Sequence, residues 1–317
     1  MKTDYDVVII GGGPAGITSA IYLKRAGINV CILERLFLGG KIAENSVIDN
    51  YPGLYNIDGA SFALKLSEHI NHFDIPVIYD EIVKIQIDNE TKVIETKQNI
   101  LKCKKIIIAT GSVPRRLEVE GEKELIGRGI SFCAVCDGMF FKDKNVAIIG
   151  AGNTAFESAL ALSKTSSIVY LLIRDKDITA DTVLLEDAKK QKNIKIIYNT
   201  EILKIIASDK KLVSQIVIKT KKDNGSENVD NNHDNIIEET LNVEGVFVNI
   251  GTKSNVDLFK NIVKLNEKNE IITDENMETN ISGIYAVGDV RDTKYRQIIT
   301  AMSDGIYASL DIIKKLK

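Results

Sequence analysis

The sequence predicts an α/β protein of two doubly wound units, the second inserted into the first, and three stretches carry that expectation. DYDVVII, GGGPAG and ITSAIYLKRAG follow one another as strand, turn and helix, and INVCILE adds a second strand. NVAIIG, GAGNTA, FESALALSK and SIVYLLI repeat the order from residue 145. Short β-branched runs joined through a glycine turn and a helix-periodic segment read as β-α-β with parallel strands. GIYAVGDV at 283–290 is a third signal near the end, so the two repeats are not simple tandem halves. The expected boundaries are 1–114 with 246–317 for the first unit and 115–245 for the inserted one.

The chain has 317 residues, enough for two units that each bury a core. Apolar content of 44% and charged content of 27% are ordinary for a soluble protein. A net charge of −3 gives no strong pull toward nucleic acid or an anionic membrane. Apolar runs such as VVII and KIIIA fall far short of the roughly 20 residues that span a bilayer. MKTDYDVVII lacks the apolar stretch and cleavage site of a signal peptide, so a cytoplasmic location is expected. Residues 220–240, TKKDNGSENVDNNHDNIIEET, read as an enlarged hairpin loop between two strand-like runs. His69, His72 and His233 have no metal-ligand spacing with the cysteines, and no metal site is expected.

Gly11, Gly13 and Gly16 form G-x-G-x-x-G between a strand and a helix. The first glycine permits the tight turn, the second lets a pyrophosphate approach the backbone, and the third allows close helix–strand packing. Unpaired N–H groups and the positive dipole end of the helix then face the phosphates. Glu34 ends the next strand, placed to accept hydrogen bonds from ribose hydroxyls. Strand, turn, helix, strand and acid together point to dinucleotide binding, in a Rossmann-like unit.

SFCAVCDG at 131–138 holds two of the four cysteines. Cys31 and Cys103 sit in apolar, strand-like runs and read as inert. Cys133 and Cys136 have three readings: half of a zinc site, incidental packing, or a redox dithiol in which one thiolate attacks and the other resolves. A zinc site needs two further ligands, and no second pair exists. Asp137 supports the dithiol, because a neighbouring acid can protonate a leaving thiolate.

With these residues in place, the sequence resembles the two-dinucleotide-domain flavoprotein oxidoreductases. CAVCDG in the middle of the second unit is similar to the low-molecular-weight thioredoxin reductases, since related disulfide reductases carry their dithiol in the first unit. The resemblance implies that FAD is held by Gly11, Gly13, Pro14, Ala15, Gly16, Glu34 and Arg35. IIIATGSVPR adds Ala109, Thr110 and Gly111, and GIYAVGDV adds Gly288 and Asp289, whose acid would reach the ribityl–phosphate region. GGKIAENSVIDNYPG is similar to a flavin-contacting loop, with Gly40, Lys41 and Asn50. KYRQIITAMSDG is similar to the helix beneath the flavin ring, with Arg296, Gln297 and Ile298. Cys136 would lie against the flavin, Cys133 would attack the disulfide of thioredoxin, and Asp137 would be the acid. The family also implies a homodimer.

The second turn, with Gly150, Gly152, Asn153 and Thr154, keeps G-x-G-x-x-A and is the possible pyridine-nucleotide site. NADPH enzymes of this family carry H-R-R-x-x-x-R after the next strand, because the planar guanidinium fork matches phosphate oxygens. Here those positions are Ile173, Arg174, Asp175 and Thr179. Losing two cations and gaining an anion should cost several kcal/mol, at about 1.5–3 kcal/mol per charged hydrogen bond. NADPH is therefore disfavoured, and the altered element resembles the ferredoxin-dependent flavin thioredoxin reductases, a resemblance that implies reduced ferredoxin as the donor. NADH bound through Asp175, and NADPH in another geometry, stay open. So do a different small disulfide partner and a non-catalytic flavin redox sensor. A ferredoxin–NAD(P)+ reductase is disfavoured because that class lacks the dithiol.

Overall fold

The structure is a computed structural model that describes residues 3–44, 48, 50–88, 91–221 and 236–317. Most of the expected 220–240 loop, with His233, lies outside the described residues. The chain divides into two compact units, Met1–Val113 with Lys253–Lys317, and Pro114–Thr252.

The elements run in this order. β1 (Tyr5–Ile10), α1 (Pro14–Arg25) and β2 (Val30–Glu34) form the first β-α-β, followed by α2 (Gly59–His72) and β3 (Val77–Tyr79). β4 (Ile82–Asp88), β5 (Thr91–Thr96) and β6 (Ile100–Ile108) make a meander, and β7 (Ser112–Pro114) leads out. The second unit holds α3 (Glu122–Leu125), β8 (Ile130–Ser131), α4 (Ala134–Asp137), β9 (Asn145–Ile149), α5 (Asn153–Ser163), β10 (Ile168–Leu172), α6 (Thr182–Lys190) and β11 (Ile194–Ile197). β12 (Thr200–Ala207), β13 (Val213–Lys221), β14 (Ile236–Asn242) and β15 (Gly245–Val248) complete it. β16 (Thr252–Ser254) leads back to β17 (Ile284–Ala286) and α7 (Ile298–Leu316).

In the first unit the strands run β3-β2-β1-β6, with β6 continued by β5 and β4. β17 pairs parallel with the last residues of β6, Ile106 to Ile108. Alternate residues of β1 serve opposite faces: Val7 and Ile9 join one buried cluster, Val8 and Ile10 the other. That two-sided burial is why the run is apolar without a break. α7 packs against α1 at small residues. A Cβ on Gly305 would stand 2.5 Å from the Ala15 carbonyl oxygen, so only glycine permits this approach.

The second unit has a parallel sheet of order β11-β10-β9-β15-β8, with β12-β13-β14 as an antiparallel meander. Here one expectation is corrected. Residues 246–252 were assigned to the first unit, yet β15 pairs parallel with both β9 and β8. The return crossing therefore falls at 252/253. An apolar strand reads alike in either sheet, and only its partners decide the unit.

Candidate functional site

The expected cofactor residues of the first unit converge at the C-terminal ends of β1, β6 and β17. This is the edge where open α/β sheets bind ligands. Gly11 has φ +109, and a Cβ there would meet the Ala109 carbonyl oxygen at 2.4 Å. A Cβ on Gly16 would meet the Gly11 carbonyl oxygen at 2.0 Å. A Cβ on Gly13 would meet nothing within 4 Å, so the backbone is open where a pyrophosphate must approach. Glu34 braces the turn: one carboxylate oxygen accepts Gly12 N–H at 2.6 Å, the other Arg35 and Leu36 N–H at 2.8 Å. Pro14 and Ala15 open α1, and Arg35 is exposed.

The remaining segments close around this turn. Gly39 N–H donates to the Gly12 carbonyl at 2.7 Å, which brings Gly40 and Lys41 over the first turn. Lys41 Nζ donates to Ser112 Oγ at 3.3 Å, and Ser112 Oγ donates to Asp289 Oδ2 at 3.2 Å. Three separate motifs thus meet in one polar chain. Asn50 Nδ2 donates to Gln297 Oε1 at 3.0 Å, joining the 39–53 loop to the start of α7 at Ile298. Thr110 Oγ1 donates to the Asn255 carbonyl at 2.8 Å, and Gly111 has φ +64. Gly288 N–H donates to Asp304 Oδ2 at 3.0 Å, and Arg291 clamps the same carboxylate with two N–H groups. Arg296 is engaged by the carboxylate of Glu270. Ser112, Asp304, Arg291 and Glu270 were missed in the sequence. Ser112 and Asp304 stood within the quoted ATGS and KYRQIITAMSDG stretches and Arg291 and Glu270 outside them, and the Arg291–Asp304 and Glu270–Arg296 contacts join residues 13 and 26 apart. The donors and the open glycine turn fit a dinucleotide: a backbone cradle for phosphate, and acids for hydroxyls.

In the second unit Cys133 and Cys136 form a disulfide, with Cα atoms 5.4 Å apart. Cys133 is the N-cap of α4, and its sulfur accepts Cys136 N–H at 3.1 Å. A hydrogen bond to sulfur favours the thiolate once the pair is reduced. Asp137 follows, its Oδ2 accepting from Ser131 Oγ at 2.7 Å. Val135, Met139 and Phe140 are exposed around the pair, Phe140 at 72%. Cys31 and Cys103 are buried, and burial pushes both thiols up, Cys103 to about 12. Thiolate chemistry near neutral pH therefore falls to the 133–136 pair.

The second glycine turn keeps its shape but not its surroundings. Gly150 has φ +148, and a Cβ there would meet the Asn249 carbonyl oxygen at 2.3 Å. The segment after β10 folds back onto the turn, since Thr179 and Ala180 N–H both donate to the Ala151 carbonyl. Thr179 Oγ1 comes to 3.4 Å of a Cβ placed on Gly152, where the matching position at Gly13 is open. Asn153 pairs with Asp181 through both backbone and side chain, at 2.8 and 2.9 Å, and Thr154 is exposed. Arg174 Nε donates to Asp175 Oδ2 at 3.2 Å, and both side chains are exposed. Strand register decides what replaces Glu34. Ile10 pairs with Leu33 in the first unit and Ile149 with Leu172 in the second. The position of Glu34 is thus taken by Ile173, which is fully buried, and Asp175 lies two residues further on.

Two doubly wound units, one inserted in the other, with an open glycine cradle in the first and a disulfide in the second, define a dithiol oxidoreductase of the two-dinucleotide-domain class. The chain belongs to the pyridine nucleotide-disulphide oxidoreductase family, whose model matches residues 5–305, and within it to the low-molecular-weight thioredoxin reductase type. It is 38% identical over 314 residues to a thioredoxin reductase of Ureaplasma parvum, covering 96% of this chain and 95% of that one. The crystal structure of Lactococcus lactis thioredoxin reductase superposes with a TM-score of 0.86 at 35% identity, covering 98% of both chains. A ferredoxin-flavin thioredoxin reductase from Clostridium acetobutylicum matches at 29% identity and a TM-score of 0.52, again over 98% of both. The protein is an oxidoreductase, and its cofactor is FAD.

Proposed function

We propose that this protein reduces thioredoxin through Cys133 and Cys136 and draws its electrons from reduced ferredoxin. The observation that carries the first half is the disulfide flanked by Asp137 and by exposed Val135, Met139 and Phe140. An apolar rim around a reactive sulfur suits a protein partner that must dock before exchange. FAD, when bound, supplies the electron pair that opens the Cys133–Cys136 disulfide. Cys133 thiolate, favoured by Cys136 N–H, attacks one sulfur of the thioredoxin disulfide. That S–S bond breaks, its electron pair leaves with the second thioredoxin sulfur, and Asp137 gives that sulfur a proton. Cys136 then attacks Cys133 Sγ, releasing the other thioredoxin sulfur and reforming the enzyme disulfide. The reading takes the protein as a homodimer, as the family resemblance implies, working in the cytoplasm.

The donor half rests on the second unit. The guanidinium of Arg174 already faces a carboxylate, Ile173 stands at the strand-end acid position, and Thr179 lines the approach to Gly152. Each weakens one element that a pyridine nucleotide uses: the 2′-phosphate partner, the ribose acceptor and the open turn. A similar protein bears ferredoxin in its name, which supports the same donor. NADH is the second reading, favoured by the retained φ of Gly150.

The disulfide half is tested without ferredoxin or a nucleotide. Enzyme reduced anaerobically by dithionite at both flavin and disulfide, freed of excess reductant and mixed with oxidised thioredoxin, is expected to yield two thioredoxin dithiols per flavin, one from the enzyme dithiol and one from the reduced flavin, as the yellow colour returns. Flavin reoxidation without thioredoxin thiols would overturn the reading.

A further inference from the structure

Ser131 ends β8, where its residue pairs with Phe247 of β15, and its side chain is only 5% exposed. The sheet therefore holds this hydroxyl in place beneath the short helix that carries the cysteines. Three polar atoms surround it. Cys133 N–H donates to Ser131 Oγ at 3.0 Å. Asp137 Oδ2 stands at 2.7 Å, and the Cys133 carbonyl oxygen at 3.2 Å. A hydroxyl has one hydrogen to give and can rotate it, so two acceptors compete for it.

We propose that Ser131 is a positioning residue that holds Asp137 for proton transfer to sulfur and turns its hydroxyl between Asp137 and the Cys133 carbonyl as Asp137 loses and regains its proton. This rests on the reading of Asp137 as the acid. With Asp137 ionised, the serine O–H donates to Oδ2. With Asp137 protonated, the carboxyl O–H donates to Ser131 Oγ, and the serine hydrogen turns to the Cys133 carbonyl. Cys133 N–H keeps its acceptor in both states. When the thioredoxin sulfur departs, the carboxyl O–H turns from Ser131 Oγ to that sulfur and gives up its proton, which solvent restores, so the cycle balances. The Cys133 carbonyl also accepts Asp137 N–H at 3.2 Å, so no polar atom of the cluster loses its partner in either state, and the acid keeps its place when its charge changes.

The test uses dithionite-reduced holoenzyme and oxidised thioredoxin in a single turnover, followed by flavin reoxidation across thioredoxin concentrations. Asp137→Asn is expected to lower the limiting rate about 100-fold. Ser131→Ala is expected to lower it about tenfold, with the half-saturating thioredoxin concentration unchanged and flavin content intact. Ser131→Thr, which keeps the hydroxyl, restores the rate. In the Asp137→Asn background Ser131→Ala costs nothing further, because a residue that acts through Asp137 has nothing left to act on. A wild-type rate for Ser131→Ala, or the same tenfold loss in the Asp137→Asn background, overturns the proposal while leaving Asp137 its role. A wild-type rate for Asp137→Asn removes that role and the proposal with it.

Discussion

Cys133→Ser is expected to lower thioredoxin reduction by at least about 1,000-fold, because it removes the nucleophile rather than weakening it. Flavin content should not change, since the cradle at Gly11, Gly13 and Gly16 lies on other elements. Cys136→Ser should be as inactive in turnover but different in kind. Its Cys133 still receives a backbone N–H from position 136, still forms a thiolate, and still attacks thioredoxin. Without a resolving thiol the mixed disulfide persists. Intact mass of the Cys136→Ser protein after exposure to thioredoxin should show a one-to-one covalent complex, cleaved by dithiothreitol. A complex formed by Cys133→Ser instead would reverse the two roles.

Gly16→Ala is expected to lose most of the flavin and to melt at a lower temperature. The new Cβ would stand 2.0 Å from the Gly11 carbonyl oxygen. Gly11 cannot retreat, because it is itself pressed against the backbone at Ala109 with φ +109. Overpacking of this kind costs about 1–3 kcal/mol, and about 1.4 kcal/mol is already tenfold in affinity. Gly13→Ala is the companion. Its Cβ meets nothing in the protein within 4 Å, so the apoprotein should melt as the parent does. The same methyl would occupy the path of the pyrophosphate, so flavin should still be lost. Fluorescence of released flavin and the melting temperatures of both apoproteins separate clash from blocked approach.

The glycine turns, the apolar strands and the cysteine pair were legible because each is a local pattern. VVII buries on both faces, GGGPAG must turn, and CAVCDG keeps both sulfurs within one turn of chain. What was not legible depends on partners distant in sequence. Val246, Phe247 and Val248 of β15 were given to the wrong unit because these three apolar residues would suit either sheet. Arg296 stood in a flavin-like segment, yet its guanidinium is engaged by Glu270, 26 residues away. Asp304 reads as one more polar residue of α7 until Gly288 N–H and Arg291 are seen to share its carboxylate. Asp175 read as a ribose acceptor as well as a phosphate repellent. The strand register places Ile173, rather than Asp175, at the position that Glu34 holds in the first unit. Ser131 was quoted with the cysteines but given no task, because a serine two residues before a thiol says nothing about where its hydroxyl points.

The most direct test of the account is anaerobic bleaching of the bound flavin in a stopped-flow instrument, with NADPH, NADH and enzymatically reduced ferredoxin supplied in turn. The account predicts rapid bleaching by ferredoxin, followed by thioredoxin reduction that requires Cys133, and no bleaching by either nucleotide on the same time scale. Rapid bleaching by micromolar NADPH or NADH would contradict it, and would make Gly150, Gly152 and Asn153 a working nucleotide site despite Ile173, Asp175 and Thr179.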